Sequence, residues 1–163
     1  MLIENVQMLM SDGVFRRGSV EFDDKIKSVT INDTVDAKVG PYLIPGLVDI
    51  HTHGALGGGH TGGSEEKTHE IAEFYAKNGT TSFLASTVTA TEPALTKAMA
   101  NIGKYKRSQN GARCLGINME GPFFSHGKKG AHPPELLLNP DISMFKRLND
   151  VSGGAIKDRK SVV

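Results

Sequence analysis

The chain has 163 residues, close to the usual size of one domain, and 38% of them are hydrophobic. Its 19 basic and 18 acidic side chains leave a net charge of +1, which gives no bulk electrostatic case for nucleic-acid or membrane binding. One cysteine, Cys114, excludes a disulfide framework within the chain and fits a reducing compartment. We expect a cytoplasmic protein without a signal peptide or membrane span, because no apolar segment has the required length and flanks.

The first forty residues are predicted to be all-β. Three short strand-like runs cover residues 2–10, 14–22 and 26–31. They are separated by Ser11-Asp12-Gly13, Asp23-Asp24 and Asn32-Asp33, which are typical turn residues. Residues 38–41 are predicted to cross into a second region, so we assign residues 1–42 to a first domain.

The apolar run before His51 predicts a short, fully buried strand. Because side chains alternate along a strand, His51 and His53 are expected to point to the same side. Two adjacent imidazoles suit a divalent metal ion, and Gly54 lets the backbone leave the strand. On spacing alone, two core histidines beside a turn explain the pattern about as well as metal binding does.

The pattern then changes to alternating helices and strands. Ser64 is predicted to cap a helix that has Ile71, Phe74 and Tyr75 on one face and ends at Asn78-Gly79. Residues 80–89, rich in β-branched side chains, predict a second strand.

Three further elements complete the second and third strand-helix units. Thr91 is predicted to cap a helix with apolar side chains at helical spacing, and residues 114–119 predict a third strand. Residues 140–148 predict a third helix, whose apolar residues are Ile142, Phe145 and Leu148.

Three strand-helix units imply parallel strands with right-handed crossovers. Periodicity does not separate an open doubly wound sheet from a β/α barrel. The absence of a Gly-x-Gly-x-x-Gly motif after the first strand weakens the nucleotide-binding alternative. A barrel needs about 250 residues, so three units would form its first part.

Glu120 follows the third predicted strand. The carboxyl ends of the strands are where β/α-barrel active sites form, so Glu120 can join His51 and His53 in a metal site. Two imidazole nitrogens and one carboxylate suit zinc, iron or another divalent ion. The alternative is a solvated loop glutamate.

A glycine-flanked loop, residues 127–134, carries further polar candidates. Lys128 and Lys129 can hold an anionic substrate, although surface lysines are the commoner explanation. His132 can orient a substrate hydroxyl. Three other histidines have weaker cases: His126 as a polar contact, His60 as a neighbour of the site and His69 as a helix surface residue.

Several motifs together resemble the amidohydrolase superfamily. The run Ile44-Pro45-Gly46-Leu47-Val48-Asp49-Ile50-His51-Thr52-His53-Gly54 looks like its first barrel strand. Within the superfamily, Glu120-Gly121-Pro122-Phe123-Phe124 and Lys128-Lys129-Gly130-Ala131-His132 resemble the N-acetylglucosamine-6-phosphate deacetylase family. Thr80-Thr81-Ser82-Phe83-Leu84 and Thr87-Val88-Thr89 look like that family's second strand. The resemblance runs from near the N-terminus to about Lys157.

This resemblance implies a fold, a ligand set and a substrate. The fold is α/β, with residues 43–157 as the first three units of a (β/α)8 TIM-type hydrolase barrel, preceded by part of a small β-sandwich. His51, His53 and Glu120 match metal ligands for one or two zinc or iron ions. Ala131 and His132 match residues that touch an amino-sugar phosphate substrate.

The implied reaction is metal-dependent removal of an acetyl group from that sugar. No catalytic residue is assigned within the chain, because the family's proton-shuttling aspartate is expected beyond it. The resemblance further implies a homodimer at full length, with no nucleic-acid or membrane partner. Two alternatives stay open: another amidohydrolase, such as a dihydroorotase-like cyclic-amide hydrolase, and a non-catalytic metal-binding domain.

Residues 158–163 look like the translation of common sequencing-adapter DNA. We expect them to be a read-through tail and exclude them from the fold assignment; the chain would then be an N-terminal fragment that continues naturally past Lys157.

Overall fold

The computed structural model describes residues 1–32, 40–105 and 110–162. Within them the chain divides into two compact units, Met1–Pro45 and Gly46–Val163. Parts of two predicted features, Asp33 of a turn and Lys38 of the crossing segment, lie outside the described residues.

The first unit is a four-stranded sheet in the order β3-β2-β1-β4. Its strands are β1 (Leu2–Leu9), β2 (Phe15–Phe22), β3 (Ile26–Ile31) and β4 (Tyr42–Leu43). The first three are antiparallel neighbours, and β4 pairs with β1 in parallel. The predicted strands are therefore confirmed to within a residue or so.

One face of this sheet is apolar. Val6, Met8 and Val20 form its buried centre, with Phe22 and Leu43 packed against them. A groove of about 630 Å³ lies over this face of the first unit and has mainly apolar walls.

The second unit is built on a parallel sheet in the order β10-β9-β8-β5. Its strands are β5 (Leu47–Thr52), β8 (Thr80–Ser86), β9 (Arg113–Phe124) and β10 (Ile156–Val162), and a hairpin of β6 (Gly54–Ala55) and β7 (Gly58–Gly59) follows β5. The sheet curls, so that Asn118 Nδ2 on β9 donates to the Ile50 carbonyl oxygen on β5, past the intervening β8 (3.3 Å). This half-barrel confirms the predicted fold class.

In the described part of the second unit, three α-helices connect the strands: α1 (Glu65–Lys77), α2 (Glu92–Lys104) and α3 (Ile142–Val151). The Ser64 hydroxyl caps α1 by accepting from the Lys67 amide at 3.3 Å, as predicted. Thr91 holds the N-cap position of α2, but its side chain makes no capping hydrogen bond. Asp141 caps α3 through the Ser143 and Met144 amides.

The core of the second unit lies between the helices and one face of the sheet. Its fully buried members include Ile71, Phe83, Leu95, Ile117, Met119 and Leu148. Side chains of alternate strand residues point into this layer, and their neighbours in sequence point to the opposite face, where the polar candidates lie.

One burial prediction is wrong. Leu47, Val48 and Ile50 of β5 are 56–62% exposed rather than buried, because β5 is an edge strand of the sheet. On α3, the apolar Ile142 is 73% exposed in the first turn, whereas Leu148 is fully buried.

Residues 158–162, which we set aside from the fold assignment, are part of the sheet. They belong to β10, which pairs with β9 from Ile156 opposite Ile117 to Val162 opposite Phe124. Backbone hydrogen bonds do not depend on side-chain identity, so the free edge of β9 accepts even this polar segment. Whether the segment comes from adapter DNA stays a prediction.

In the part of the chain that the structure describes, no helix combines the length and apolar character needed to cross a membrane.

Candidate metal centre

The two histidines of the His-x-His motif lie at the carboxyl end of β5. His51 and His53 point to the same side, with their ring centroids 4.9 Å apart and the rings nearly perpendicular. Thr52 between them points the other way, where its hydroxyl is 2.6 Å from the Tyr75 hydroxyl of α1. The shared side of His51 and His53 is as predicted, and the alternation of the strand places Thr52 on the opposite side.

Glu120 reaches the same point from β9. Its side chain is buried, and its Oε2 lies 3.0 Å from His53 Nε2 and 3.3 Å from His51 Nε2. One potential ligand atom from each of these residues lies within 4.8 Å of the others. The structure therefore brings together the three residues predicted as metal ligands.

The hydrogen-bonding chemistry of His53 fits a cation at this point. Its Nδ1 is 3.3 Å from the Ser86 carbonyl oxygen, and its Nε2 faces the Glu120 carboxylate. Both partners are acceptors when Glu120 is ionised, whereas a neutral imidazole has only one N–H. A proton or a metal ion between Nε2 and the carboxylate resolves this conflict. The donor set suits a divalent metal ion.

Lys160, on β10, also reaches Glu120. Its Nζ is 2.7 Å from Glu120 Oε1, the oxygen that does not face His51 and His53. Burial raises the pKa of Glu120, but the hydrogen bond and charge of Lys160, together with the two histidines, outweigh it and hold the pKa below its usual value. Glu120 is therefore favoured as a carboxylate.

His132 approaches the same carboxylate from the loop after β9. Its Nε2 lies 3.6 Å from Glu120 Oε1, and its ring packs on Phe124 with centroids 4.6 Å apart. The Thr89 amide donates to His132 Nδ1 at 3.4 Å, so a neutral His132 carries its proton on Nε2. His132 thus presents an N–H donor toward the carboxylate.

A cavity of about 600 Å³ opens beside these side chains. Its walls include His53, Val88, Thr89, Glu120, Phe124, Lys128, Lys129, Ala131, His132 and Lys160. The Lys129 ammonium donates to the carbonyl oxygens of Gly130 and His132, both at 3.2 Å, so it braces the loop. Lys128, Ala131 and His132 line the cavity, and the substrate roles predicted for Ala131 and His132 stay predictions.

Of the remaining histidines, His60 adjoins the cluster, since its backbone amide donates to the His53 carbonyl oxygen at 2.9 Å, and none of the described contacts joins His69 or His126 to it. His60 is buried and stacks on Phe83, and burial together with the nearby His53 lowers its pKa to about 4. His69 is partly exposed on α1, near Glu65 at 3.8 Å. His126 is exposed in a short 3-10 turn.

Sequence reasoning missed three neighbours of the site: Ser86, Thr89 and Lys160. Thr89 is the last residue of the predicted second strand, 80–89, and that position was an available signal for it. Lys160 was missed because its segment was set aside as a tail.

The fold and the site define a class: a parallel β/α half-barrel with a candidate metal centre at the carboxyl ends of its strands. No protein-family model matches the sequence. Among curated relatives, the N-acetylglucosamine-6-phosphate deacetylase of Bacillus subtilis (strain 168) is 31% identical over 169 residues, which cover 96% of this chain and 43% of that protein. An N-acetylgalactosamine-6-phosphate deacetylase of Escherichia coli O157:H7 is 35% identical over 68% of this chain and 29% of its own length.

A comparison with solved structures also finds a deacetylase. The N-acetyl-D-glucosamine-6-phosphate deacetylase of Mycobacterium smegmatis, in a mutant form in complex with N-acetyl-D-glucosamine-6-phosphate, matches with a TM-score of 0.78 and 25% identity. The match covers 99% of this chain and 43% of that one. The chain is homologous to the N-terminal part of N-acetylglucosamine-6-phosphate deacetylases and spans less than half the length of these relatives.

Proposed function

We propose that this chain is the N-terminal part of a metal-dependent hydrolase. The complete enzyme would remove the acetyl group of N-acetylglucosamine 6-phosphate and release glucosamine 6-phosphate and acetate. The observation that carries the proposal is the convergence of His51, His53 and Glu120 beside a cavity lined by His132, in a chain homologous to deacetylases over nearly its whole length.

In this proposal His51, His53 and Glu120 hold one or two divalent ions, zinc or iron. The chemistry that such an ion supplies when bound is polarisation of a carbonyl group and activation of water. The chain's own residues would orient the substrate: His132, whose Nε2 faces Glu120, and Ala131 both line the cavity. The proton-shuttling aspartate and further ligands would come from later strands.

The same proposal covers the arrangement of domains. Residues 1–42 would be the N-terminal half of a β-sandwich, and residues 43–157 would be part of the barrel that carries the site. The exposed apolar side chains that line the groove of the first unit would then be covered by strands from a later part of a longer chain; they include Leu9, Ile26, Val29 and Ile44. A dye that binds exposed apolar surface should bind this chain more strongly than the complete enzyme.

The metal-binding part of the proposal is testable on this chain alone. Competition with a chromophoric chelator measures its affinity for Zn²⁺, and Glu120→Gln should weaken that affinity by roughly tenfold or more, since the variant removes an anionic ligand without changing side-chain size. Glu135→Gln, an exposed change outside the cluster, is the matched control. Equal affinity in all three proteins would contradict the assignment of Glu120.

The reaction is tested with two proteins. This chain should release no acetate from N-acetylglucosamine 6-phosphate, because the proton shuttle would be missing, whereas the continuation of its natural reading frame should give an active enzyme. The substrate panel includes N-acetylgalactosamine 6-phosphate, the unphosphorylated sugar and a cyclic amide. Preferred hydrolysis of the cyclic amide would replace the deacetylase proposal with the alternative amidohydrolase.

We also propose that the complete enzyme is a cytoplasmic homodimer whose partner is a small phosphorylated sugar, with no nucleic acid or membrane involved. Light scattering coupled to size-exclusion chromatography tests the dimer. A monomer that is fully active would overturn that part of the proposal.

A further inference from the structure

We propose that Ser86 is a positioning residue that orients both histidines of the candidate metal centre. This inference rests on the proposed function, because it concerns the orientation of the His51 and His53 rings toward a metal ion. It assigns a role to a residue of β8 that is not itself one of the candidate ligands.

Ser86 contacts both imidazoles at the same ring position. It is the last residue of β8, it is fully buried, and its strand is the neighbour of β5. Its carbonyl oxygen lies 3.3 Å from His53 Nδ1, and its hydroxyl oxygen lies 3.5 Å from His51 Nδ1. The Nε2 atoms of both rings are on the far side, toward Glu120.

The two contacts of Ser86 place different requirements on the histidine tautomers. A carbonyl oxygen only accepts, so it requires a proton on His53 Nδ1 and leaves Nε2 as the atom with a lone pair. A hydroxyl can donate or accept, so it permits either tautomer of His51. When a metal ion is held at both Nε2 atoms, the hydroxyl must accept from His51 Nδ1. Ser86 can supply both required acceptors.

Hydrogen bonds to the non-ligating nitrogen fix the ring orientation and tautomer of metal-binding histidines. Here a single buried residue serves two rings that stand nearly perpendicular to each other. The carbonyl contact belongs to the backbone and survives substitution, whereas the hydroxyl contact does not. Removing the hydroxyl should therefore affect His51 and spare His53.

The experiment uses Ser86→Ala, Ser86→Thr and the matched control Ser82→Ala, which makes the same change four residues earlier on β8. Imidazole nitrogen NMR of the metal-free chain, at mildly alkaline pH, reports the tautomer of each histidine. Ser86→Ala should shift the tautomer populations of His51, leave His53 as Nδ1–H, and weaken Zn²⁺ binding by roughly tenfold to a hundredfold. Ser86→Thr should restore both properties, and Ser82→Ala should match the parent.

The outcomes separate this inference from the proposed function. An unchanged His51 tautomer together with unchanged Zn²⁺ affinity in Ser86→Ala overturns the role of Ser86. A parent chain that does not bind Zn²⁺ overturns the metal site, while the tautomer measurement still tests Ser86 directly. If Ser86→Ala does not fold, Ser86→Cys keeps a side chain of similar size with a weak donor, and it should give the same shift in His51; parent-like spectra and affinity in that variant overturn the role.

Discussion

Lys160 Nζ lies 2.7 Å from Glu120 Oε1, while His51 and His53 face the other oxygen of the same carboxylate. The carboxylate that we assign to a metal ion is thus shared with an ammonium group. A positive charge at this distance opposes the binding of a second cation, and it also occupies one of the two oxygens that an ion could use. The pairing of Lys160 with Glu120 should therefore affect the affinity of the site for a metal ion.

Replacing Lys160 with Met should strengthen Zn²⁺ binding by roughly threefold to tenfold, because the competing ammonium is removed while the length of the side chain is kept. The effect is limited because the Lys160 side chain is 55% exposed and its charge is screened by solvent. Chelator competition measures the change. Lys157→Met is the control, since that ammonium lies on the same strand but donates to the Gly154 carbonyl oxygen. Weaker binding in Lys160→Met would mean that Lys160 supports the site instead of competing with it.

Replacing His60 with Phe should stabilise the second unit at neutral pH by about 1 to 2 kcal/mol. Both ring nitrogens of His60 are buried without a hydrogen-bond partner, and its ring already stacks on Phe83 at 5.6 Å, so a phenyl ring keeps the packing and removes an unsatisfied polar group. Urea unfolding measures the gain. His126→Phe, at an exposed position, should give no comparable gain.

The benefit of His60→Phe should grow as the solution is acidified. The pKa of His60 is about 4 in the folded chain against an ordinary value of 6.5, so the unfolded chain binds more protons between those values. The parent therefore loses stability as the pH falls from 6.5 toward 4, and the variant lacks this loss. Unfolding curves at several pH values test it; a constant difference between the two proteins would contradict the buried neutral imidazole.

Replacing Gly121 with Ala should destabilise the chain by roughly 1 to 3 kcal/mol and weaken Zn²⁺ binding at the same time. Gly121 follows Glu120 directly and has a φ of +72°, which favours glycine, and a Cβ there would overlap Thr89 Oγ1. Relief of this overlap has to move the backbone that carries Glu120. Gly127→Ala is the control, because a Cβ at that position meets open space.

Replacing Tyr75 with Phe should cost about 1 kcal/mol of unfolding free energy, since it removes the hydroxyl that pairs with Thr52 at 2.6 Å. The aromatic packing of Tyr75 on Phe83, with centroids 5.1 Å apart, is retained. Tyr42→Phe, at a largely exposed position, is the comparison. A loss no greater than that of Tyr42→Phe would show that the hydroxyl pair contributes nothing to holding β5 against α1.

Local sequence patterns were enough to predict much of the fold. The Ser64 cap, the end of α1 at Asn78 and the shared side of His51 and His53 each follow from rules that act within a few residues. Bringing Glu120 to the histidines required only that carboxyl ends of parallel strands meet at one edge of the sheet.

The features that were not predicted depend on which strands and helices are neighbours in the folded chain. The exposure of Val48 follows from the position of β5 at the end of the sheet, and sequence alone does not give that position. The pairing of Lys160 with Glu120 required β10 to add to the free edge of β9, although its sequence lacks the apolar character of a buried strand. The contacts of Ser86 required knowing that β8 lies beside β5.

The candidate ligands come from two distant parts of the chain, since His51 and His53 precede α1 and α2 and Glu120 follows them. An ion held by all three would act as a reversible cross-link that closes a long loop containing both helices. Because the unfolded chain does not hold the three ligands together, the ion would bind mainly the folded chain, and its binding free energy would add to the free energy of unfolding. The ion would then stabilise the half-barrel in addition to any chemical role, and its removal by a chelator would lower the unfolding temperature.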